Sequence, residues 1–257
     1  MPGISAGLGG QINNNIQTDG LVFYIDSAYK KSYPGSGTTW NDLGGSNNGT
    51  LTNGPTFTDK SVVFDGSNDY VDFGDIGVAN AYHFSIWLYL ESSVNSSTSH
   101  YGLFRNENID HAGVHFGAVT SHATNETLTI LYTVDTGTYG FGGDPYYRTY
   151  IRDNFAAGWH YVSFNWNSNK YDIYVNADSK TTYASTHSSA INNPLSGTAA
   201  GHVPLMTMDE FKLGRGQLGS SVFAFDGRIQ VVQIYDKSLT ASEIKQNYDA
   251  SKERFGF

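Results

Sequence analysis

The sequence contains no cysteine among its 257 residues, and this absence excludes several kinds of chemistry. Without thiols the chain has no disulfide bond, no thiolate metal site and no cysteine nucleophile. Proline is also scarce, with 6 residues against 29 glycines. This ratio is typical of many strands joined by tight turns.

Charged residues make up only 15% of the chain, below the usual ~25%. The net charge is −9, and the basic residues are scattered, with Lys30 and Lys31 the nearest thing to a cluster. A protein that binds polyanions needs local positive charge. We therefore expect neither nucleic acid nor an anionic membrane as a partner.

Long apolar runs are missing as well. No run approaches the ~18 residues of a transmembrane helix. The start at Met1–Ser5 lacks a basic region followed by an apolar core, so we expect no signal peptide. An extracellular role would then require another route, such as cell lysis or assembly into a particle.

What the chain has instead is Asn, Ser, Thr, Gly and Tyr. Such a surface forms hydrogen bonds rather than ion pairs, which suits neutral polar ligands and large contact surfaces. The same composition is also that of an ordinary β protein, so both interpretations stay open.

The chain divides into a short arm and one domain. Residues 1–19 are rich in Gly and Asn with almost no apolar periodicity, which predicts either a frayed terminus or an extended arm that orders on a neighbouring subunit. Residues 20–257 show no internal repeat and no second core. At this length a single sheet domain is common, so we expect one domain.

Short β-rich segments recur at regular intervals. Residues 61–65 and 70–73 flank the Asx-rich turn 66–69, and residues 160–166 and 171–175 flank another short turn. Both patterns predict paired strands around a turn.

One helix is predicted at about 240–251. Thr240 and Glu243 fit a capping box, and Ile244 and Tyr248 then share one helical face. Strands with regular turn signals and a single helix predict an all-β fold: a two-sheet antiparallel jelly-roll sandwich with one short C-terminal helix. We expect core aromatics between the sheets at Trp87, Trp159 and Trp166.

Several separated segments together resemble one family, the LamG-like domains with the concanavalin A-like jelly roll. Residues 20–26 resemble its opening strand, 63–71 are similar to its F-D-G-x-N-D-Y-V signature, and 227–240 resemble its closing strand. Further matches in the expected order are 40–51, 84–87, 158–162 and 173–176. The resemblance implies the same sandwich fold, concanavalin A-like, across residues 20–250.

The sequences of two segments resemble those of the bacteriophage members of this group. These segments are Tyr33–Trp40 and Arg254–Gly256. The resemblance implies a non-catalytic protein of the virion surface, either a decoration or a fibre-associated protein. Its partners would be other virion proteins, reached through the arm 1–19, and surface glycans through weak lectin-like contact; a homo-oligomer is a further open alternative.

The resemblance also bears on cofactors. Family members hold calcium with an aspartate on the first strand and another near the last strand, and the matching positions here are Asp26 and Gln230. Because Gln brings no charge, calcium would bind weakly. We expect no cofactor, with calcium at this pair as the alternative, and we interpret Asp65, Asn68 and Asp69 as turn residues.

The stretch 133–157 is longer than a hairpin needs. Aromatic rings stack on sugars and also enrich protein interfaces, so glycan contact, protein contact and loop packing are all open. The candidate contact residues are Tyr139, Phe141, Asp144, Tyr146, Tyr147, Arg148, Tyr150 and Arg152.

Catalytic patterns are hard to find. The E-x-D-x-x-E strand of β-glucanases, which sets two carboxylates on one face, is missing around every Glu. His111 and His115 would lie ~13 Å apart on a strand, too far to share a zinc ion. We therefore expect a protein that is not an enzyme. The alternatives are a free carbohydrate-binding module or bacterial adhesin, extracellular or on the cell surface, and then a glycoside hydrolase.

Overall fold

The structure is a computed structural model. It describes residues 15–78, 81–94, 101–106, 113–116, 127–133, 146–167, 170–187, 208, 210–218 and 221–257.

Within these ranges, eight strands form a first sheet. Its spatial order is β14 (Asp178–Ser179), β13 (Lys170–Val175), β12 (Gly158–Asn167), β7 (His83–Leu90), β19 (Asp226–Tyr235), β5 (Ser61–Asp65) and β4 (Thr56–Thr58), and β1 (Leu21–Asp26) also pairs with β19.

A second sheet has nine strands in the described ranges. Its order is β15 (Tyr183–His187), β11 (Tyr146–Ile151), β10 (Leu128–Thr133), β9 (Gly113–Phe116), β8 (Tyr101–Asn106), β16 (Phe211–Leu213), β6 (Tyr70–Gly74), β3 (Gly49–Thr52) and β2 (Thr39–Trp40). A separate hairpin joins β17 (Arg215–Leu218) and β18 (Ser221–Ala224).

The core lies between the two sheets. Alternate residues of a strand point to opposite faces, so Phe84, Ile86 and Leu88 of β7 all face inward and are buried. The ring of Phe84 lies 4.4 Å from that of Phe104 in the second sheet and 6.4 Å from that of Phe211. Both layers therefore contribute to one apolar interior, which confirms the predicted all-β antiparallel sandwich.

One predicted pairing is wrong. The two segments around the turn 66–69 are strands, but β5 pairs with β4 and β19 in the first sheet while β6 pairs with β3 and β16 in the second. The turn therefore crosses between sheets. Its local chemistry is that of a hairpin, since Ser67 N donates to Asp65 Oδ1 (2.8 Å), Asp65 N donates to Asp69 Oδ2 (3.2 Å), and Gly66 has φ of 74°.

The outer face of the first sheet carries a second apolar layer, here called the outer cluster. Trp87 of β7 is buried on this face, where the Phe255 ring stacks on it at 4.0 Å and Ser251 Oγ accepts a hydrogen bond from its indole Nε1 (2.8 Å). The cluster's members are Ile16, Leu21, Tyr24, Leu43, Trp87, Tyr161, Val231, Tyr235, Leu239, Ile244 and Phe255.

The tryptophan prediction needs correcting. Trp166 and Trp40 are buried between the sheets, but Trp87 lies in the outer cluster and Trp159 packs against it, half-buried. The continuous apolar run of β7 does not distinguish the two faces of the strand, so the sequence could not assign Trp87 to a side.

The helix confirms its predicted capping. It is α1 (Ala241–Asp249), its N-cap is Thr240, and Thr240 and Glu243 form both bonds of a capping box. Ile244 is fully buried in the outer cluster, and a 3-10 turn at Lys252–Phe255 follows. In the part of the chain that the structure describes, neither α1 nor the 3-10 turn is long and apolar enough to span a membrane.

The end of the predicted arm belongs to the folded domain. Ile16 is buried in the outer cluster, Gln17 N donates to Asn247 Oδ1 (2.7 Å), and Tyr235 Oη donates to Gln17 O (2.9 Å). Residues 15–19 therefore pack beside α1. Residues 1–14 lie outside the described ranges, so for them the arm stays a prediction.

We expect Phe255→Ala to lower the free energy of unfolding by about 3 kcal/mol, since it removes the ring that covers Trp87. Urea unfolding followed by tryptophan fluorescence measures this change. Phe257→Ala is the matched control, because Phe257 is 46% exposed and its loss should cost no more than about 1 kcal/mol. Equal effects of the two variants would contradict the proposed role of the stack.

Candidate functional site

An open groove of about 510 Å³ lies at the edge of the first sheet. It is beside the hairpin that joins β12 and β13, on the side that faces away from the core. Its lining combines aromatic rings with amide, carboxylate and hydroxyl groups: Tyr82, Asn165, Trp166, Asn167, Asp172, Tyr174 and Ser238.

Strand alternation sets the groove's floor. In β13 the side chains of Tyr171, Ile173 and Val175 are buried in the core, so Asp172 and Tyr174 point to the outer face. Both of these side chains are half-buried, which leaves part of each available to a ligand.

Asn165 fixes the opposite wall. Its amide Nδ2 donates to Leu239 O (2.9 Å), and its Oδ1 accepts from Leu239 N (2.8 Å). Ser238 Oγ donates to Trp166 O (2.5 Å), so the segment that leads into α1 is held against β12 at two successive residues. The groove is therefore bounded by bonded backbone on this side.

Tyr82 is positioned through its backbone. Its N donates to Tyr235 O (3.0 Å), and its O accepts from Trp166 N (2.7 Å), which locks the residue between β12 and β19. Its side chain is partly buried against the core, and the residue lines the groove.

Two polar side chains of the groove, Asn167 and Asp172, are hydrogen-bonded to each other at the hairpin. Asn167 Nδ2 donates to Asp172 Oδ2 (2.8 Å), which orients the carboxylate. Burial, and then the charge of Asp172, raises the pKa of Tyr174, so its hydroxyl stays protonated at neutral pH. A protonated phenol, an amide and a carboxylate beside aromatic rings can hold the hydroxyls and the apolar face of a sugar.

The contact residues predicted in 133–157 are only partly described. Tyr139, Phe141 and Asp144 lie outside the described residues. Tyr146, Tyr147 and Arg148 are in β11, where the backbone pairs Arg148 with Leu131 and with Ser185. The stretch is therefore not one long loop, because residues 146–151 are a strand between β10 and β15.

Two of the predicted contact residues are described with their side chains. Tyr150 is buried at 6% exposure, and the Arg152 guanidinium lies 5.6 Å from its ring centroid. Arg152 Nη2 donates to Tyr150 Oη (3.5 Å). The buried Tyr150 has little surface for a ligand, while Arg152 is exposed.

Asp26 and Gln230 do not fit a calcium ion. The Asp26 carboxylate is fully buried, and its Oδ2 accepts from Arg254 Nη2 (2.9 Å) and Tyr24 Oη (3.2 Å) while its Oδ1 accepts from Ala28 N (3.0 Å). Calcium needs about six oxygen ligands, and here a guanidinium already holds the carboxylate and would repel a metal cation. The main-chain carbonyl of Gln230 accepts from Ser27 N (2.9 Å).

Other metal positions give no better set. Among the described residues, no three His, Asp or Glu side chains lie close enough to hold a metal ion. His111 lies outside these residues, and His115 is described only as backbone in β9. Asp65 and Asp69 make the turn bonds given above, and Asn68 O accepts from Asn53 Nδ2 (2.9 Å), so turn chemistry explains all three.

The sequence carried a weak signal for the groove. The alternation of Tyr171, Ile173 and Val175 with Asp172 and Tyr174 marks one polar face of β13. Tyr82 and Ser238 come from segments 156 residues apart in the chain. Their meeting depends on the pairing of β12, β7 and β19, which local patterns do not contain.

Solved structures with a similar fold include a sialidase and two neurotoxins. The Trypanosoma rangeli sialidase in complex with sialic acid has a TM-score of 0.53 and 12% identity over 94% of this chain and 34% of its own. The binding domain of botulinum neurotoxin serotype D/C has a TM-score of 0.54 and 11% identity over 90% of this chain and 52% of its own.

The second toxin is botulinum neurotoxin type C, whose cell entry is described as dependent on two ganglioside molecules. Its TM-score is 0.53 and its identity 12%, over 90% of this chain and 51% of its own. This chain therefore spans about a third of the sialidase and half of the toxin chains. At such identities the likeness shows the fold alone.

The expectation that this protein is not an enzyme is wrong as an inference from the missing glucanase pattern. Sialidases are enzymes, and structures of one are similar to 94% of this chain at 12–14% identity. The absence of one carboxylate motif therefore does not separate enzymes from other proteins among chains of this fold.

We expect Arg254→Met to destabilise the protein by about 2–4 kcal/mol at pH 7, because it leaves the buried Asp26 carboxylate unpaired. Burial already raises the pKa of Asp26, with Arg254 opposing it, so the variant's pKa rises further. An acid with a raised folded-state pKa loses stability as pH rises from its unfolded pKa, about 4, through the folded value.

The loss in Arg254→Met, measured by urea unfolding against the parent protein at each pH, should therefore shrink as pH falls toward 4. Lys252→Met is the matched control, because that lysine pairs with Asp249 at the surface. A loss independent of pH would contradict the assignment to Asp26.

Family comparison agrees with the architecture. The chain matches no curated protein. The family model described as the concanavalin A-like lectin/glucanases superfamily (Laminin_G_3) matches residues 65–245, which is most of the folded domain. This match covers more than half of the sequence, so this chain belongs to the concanavalin A-like lectin/glucanases superfamily.

Proposed function

We propose that this protein binds glycans in the groove beside the β12–β13 hairpin. The observation that carries the proposal is the lining: the aromatic residues Tyr82 and Tyr174 meet the polar groups of Asn167, Asp172 and Ser238 around one open cavity. Sugars bind proteins by stacking apolar ring faces on aromatic rings while polar groups hold the hydroxyls.

The charge of the groove favours a neutral sugar. Asp172 is the charged residue of the lining, and its carboxylate accepts hydrogen bonds but repels an anion. The hydroxyl of Tyr174 and the amide of Asn167 add donors. A neutral saccharide with adjacent hydroxyls satisfies this set better than an acidic one.

The structural neighbours support the general class. The sialidase is seen with sialic acid, and the type C toxin is described with gangliosides, so domains of this fold occur in proteins that contact glycans. The stretch that contains Tyr139, Phe141 and Asp144, together with Arg152, remains a proposed additional contact region.

We expect Tyr174→Ala to weaken binding of a neutral glycan by at least about tenfold, since it removes the stacking ring. Tyr174→Phe keeps the ring and should lose less. Asp172→Asn, which keeps the shape but removes the charge, should weaken binding about fivefold or more. A glycan array selects the ligand, and isothermal titration calorimetry measures its dissociation constant.

The matched control for Asp172→Asn is Asp178→Asn, an exposed carboxylate on the neighbouring strand β14. Thermal unfolding of every variant shows that the fold is kept. Unchanged affinity in both groove variants, or flat binding across the array, would overturn the proposal.

The second part of the proposal concerns location. The protein is displayed on the surface of a bacteriophage virion, as a decoration or fibre-associated protein, and the arm ahead of Ile16 attaches it to other virion proteins. The support is the resemblance of Tyr33–Trp40 and Arg254–Gly256 to phage proteins of this group. The rival is a free carbohydrate-binding module or bacterial adhesin.

We expect limited proteolysis of the isolated protein to remove residues 1–14 and to stop near Ile16, which is buried. In the assembled particle the same residues should be protected, because they contact a neighbouring subunit. Mass spectrometry of the fragments measures both. Equal cleavage in the free protein and in the particle would favour the rival.

A further inference from the structure

Two cations of the described chain converge on one tyrosine, on the opposite sheet from the groove. Lys212 Nζ lies 5.6 Å from the centroid of the Tyr70 ring, and Arg215 Cζ lies 5.2 Å from it. These three residues are here called the cationic patch. Both distances are within the range of cation–π attraction, so each charge is held in place by the ring.

Strand pairing builds the patch. Tyr70 is in β6 and Lys212 is in the neighbouring strand β16, where the buried residues Phe211 and Leu213 place Lys212 on the outer face. Arg215 is the first residue of β17, and only Gly214 separates it from the end of β16. The backbone register also sets Arg105 of β8 directly opposite Lys212.

The two cations of the patch differ in their partners. Asp72 Oδ2 lies 3.7 Å from Lys212 Nζ, and Asp72 Oδ1 also accepts from Gly74 N (3.0 Å). Within the described ranges no carboxylate is in ion-pair distance of Arg215, and its buried Nε has no hydrogen-bond acceptor. A buried donor without an acceptor is costly, so an acceptor that reaches this nitrogen would be stabilising.

A cluster of cations is unusual in this chain, because the chain is acidic overall. The chain has a net charge of −9 and only 15 Lys and Arg residues, so cations brought together by the fold stand out against a negative surface. The Lys212 side chain is 13% exposed, and a partly desolvated charge attracts an anion more strongly than one in water.

We propose that the cationic patch is a second binding site, one that takes the carboxylate or sulfate of an acidic sugar. The planar guanidinium of Arg215 can pair with either group through two hydrogen bonds, and Lys212 adds a point charge. The patch has too few cations for a long polyanion, so a single acidic group fits it best. The anion part stands on these contacts alone, and the sugar part rests on the proposed glycan function.

Lactose and sialyllactose test this proposal, because they share their neutral sugars and differ by one sugar that bears a carboxylate. Calorimetry should show that sialyllactose binds the parent protein more tightly than lactose does, and that added salt reduces the difference. Arg215→Gln and Lys212→Met should each weaken sialyllactose binding at least about tenfold and leave lactose binding unchanged.

Arg215→Lys, which keeps the charge but loses the planar fork, should recover part of the affinity. Lys245→Met is the control for a general change in charge, because Lys245 is 63% exposed on α1. Thermal unfolding confirms that each variant folds.

The failures of the two sites are distinguishable. Equal binding of the two sugars, sialyllactose binding that survives both patch variants, or no sialyllactose binding at all would overturn the second site. Loss of sialyllactose binding in Tyr174→Ala but not in Arg215→Gln would assign the acidic sugar to the groove and also overturn it. Loss of lactose binding in Tyr174→Ala tests the groove alone.

Discussion

The structure depends on covering the outer face of the first sheet. Its inner face packs against the second sheet, as in any sandwich, but β7 carries Trp87 on the outer face, and exposing the apolar surface of its indole ring to water is unfavourable. After β19 the chain folds back over this face of the sheet and covers Trp87. Stacking of Phe255 on Trp87, with Ile244 beneath the helix, turns the C-terminal segment into a third layer.

The same return explains where the groove lies. The cover begins at the segment 238–240, which Asn165 clamps to β12, and the part of β13 beyond it remains open. Asp172 and Tyr174 are on this open part. The return also brings Arg254 to Asp26, so the first strand and the last turn are joined by a charge pair where resemblance to the family implied a metal.

Much of the fold could be predicted from the sequence, because strand alternation and the capping box of Thr240 and Glu243 are local signals. The pairing of β5 and β6 could not, since the turn at Gly66–Asp69 has the same chemistry whether it joins strands of one sheet or of two. The sites were harder still. Lys212 and Tyr70 are distant in sequence, so scattered basic residues gave no sign of a patch, and the groove combines three separate segments.

The central claim is that the groove beside β12 and β13 is a sugar-binding site. Amide NMR spectra recorded during titration with a neutral oligosaccharide test it most directly. Binding in the groove predicts that the largest shift changes fall on Tyr82, the β12–β13 hairpin and Ser238. Changes centred on another surface, or none at saturating sugar, would contradict the claim.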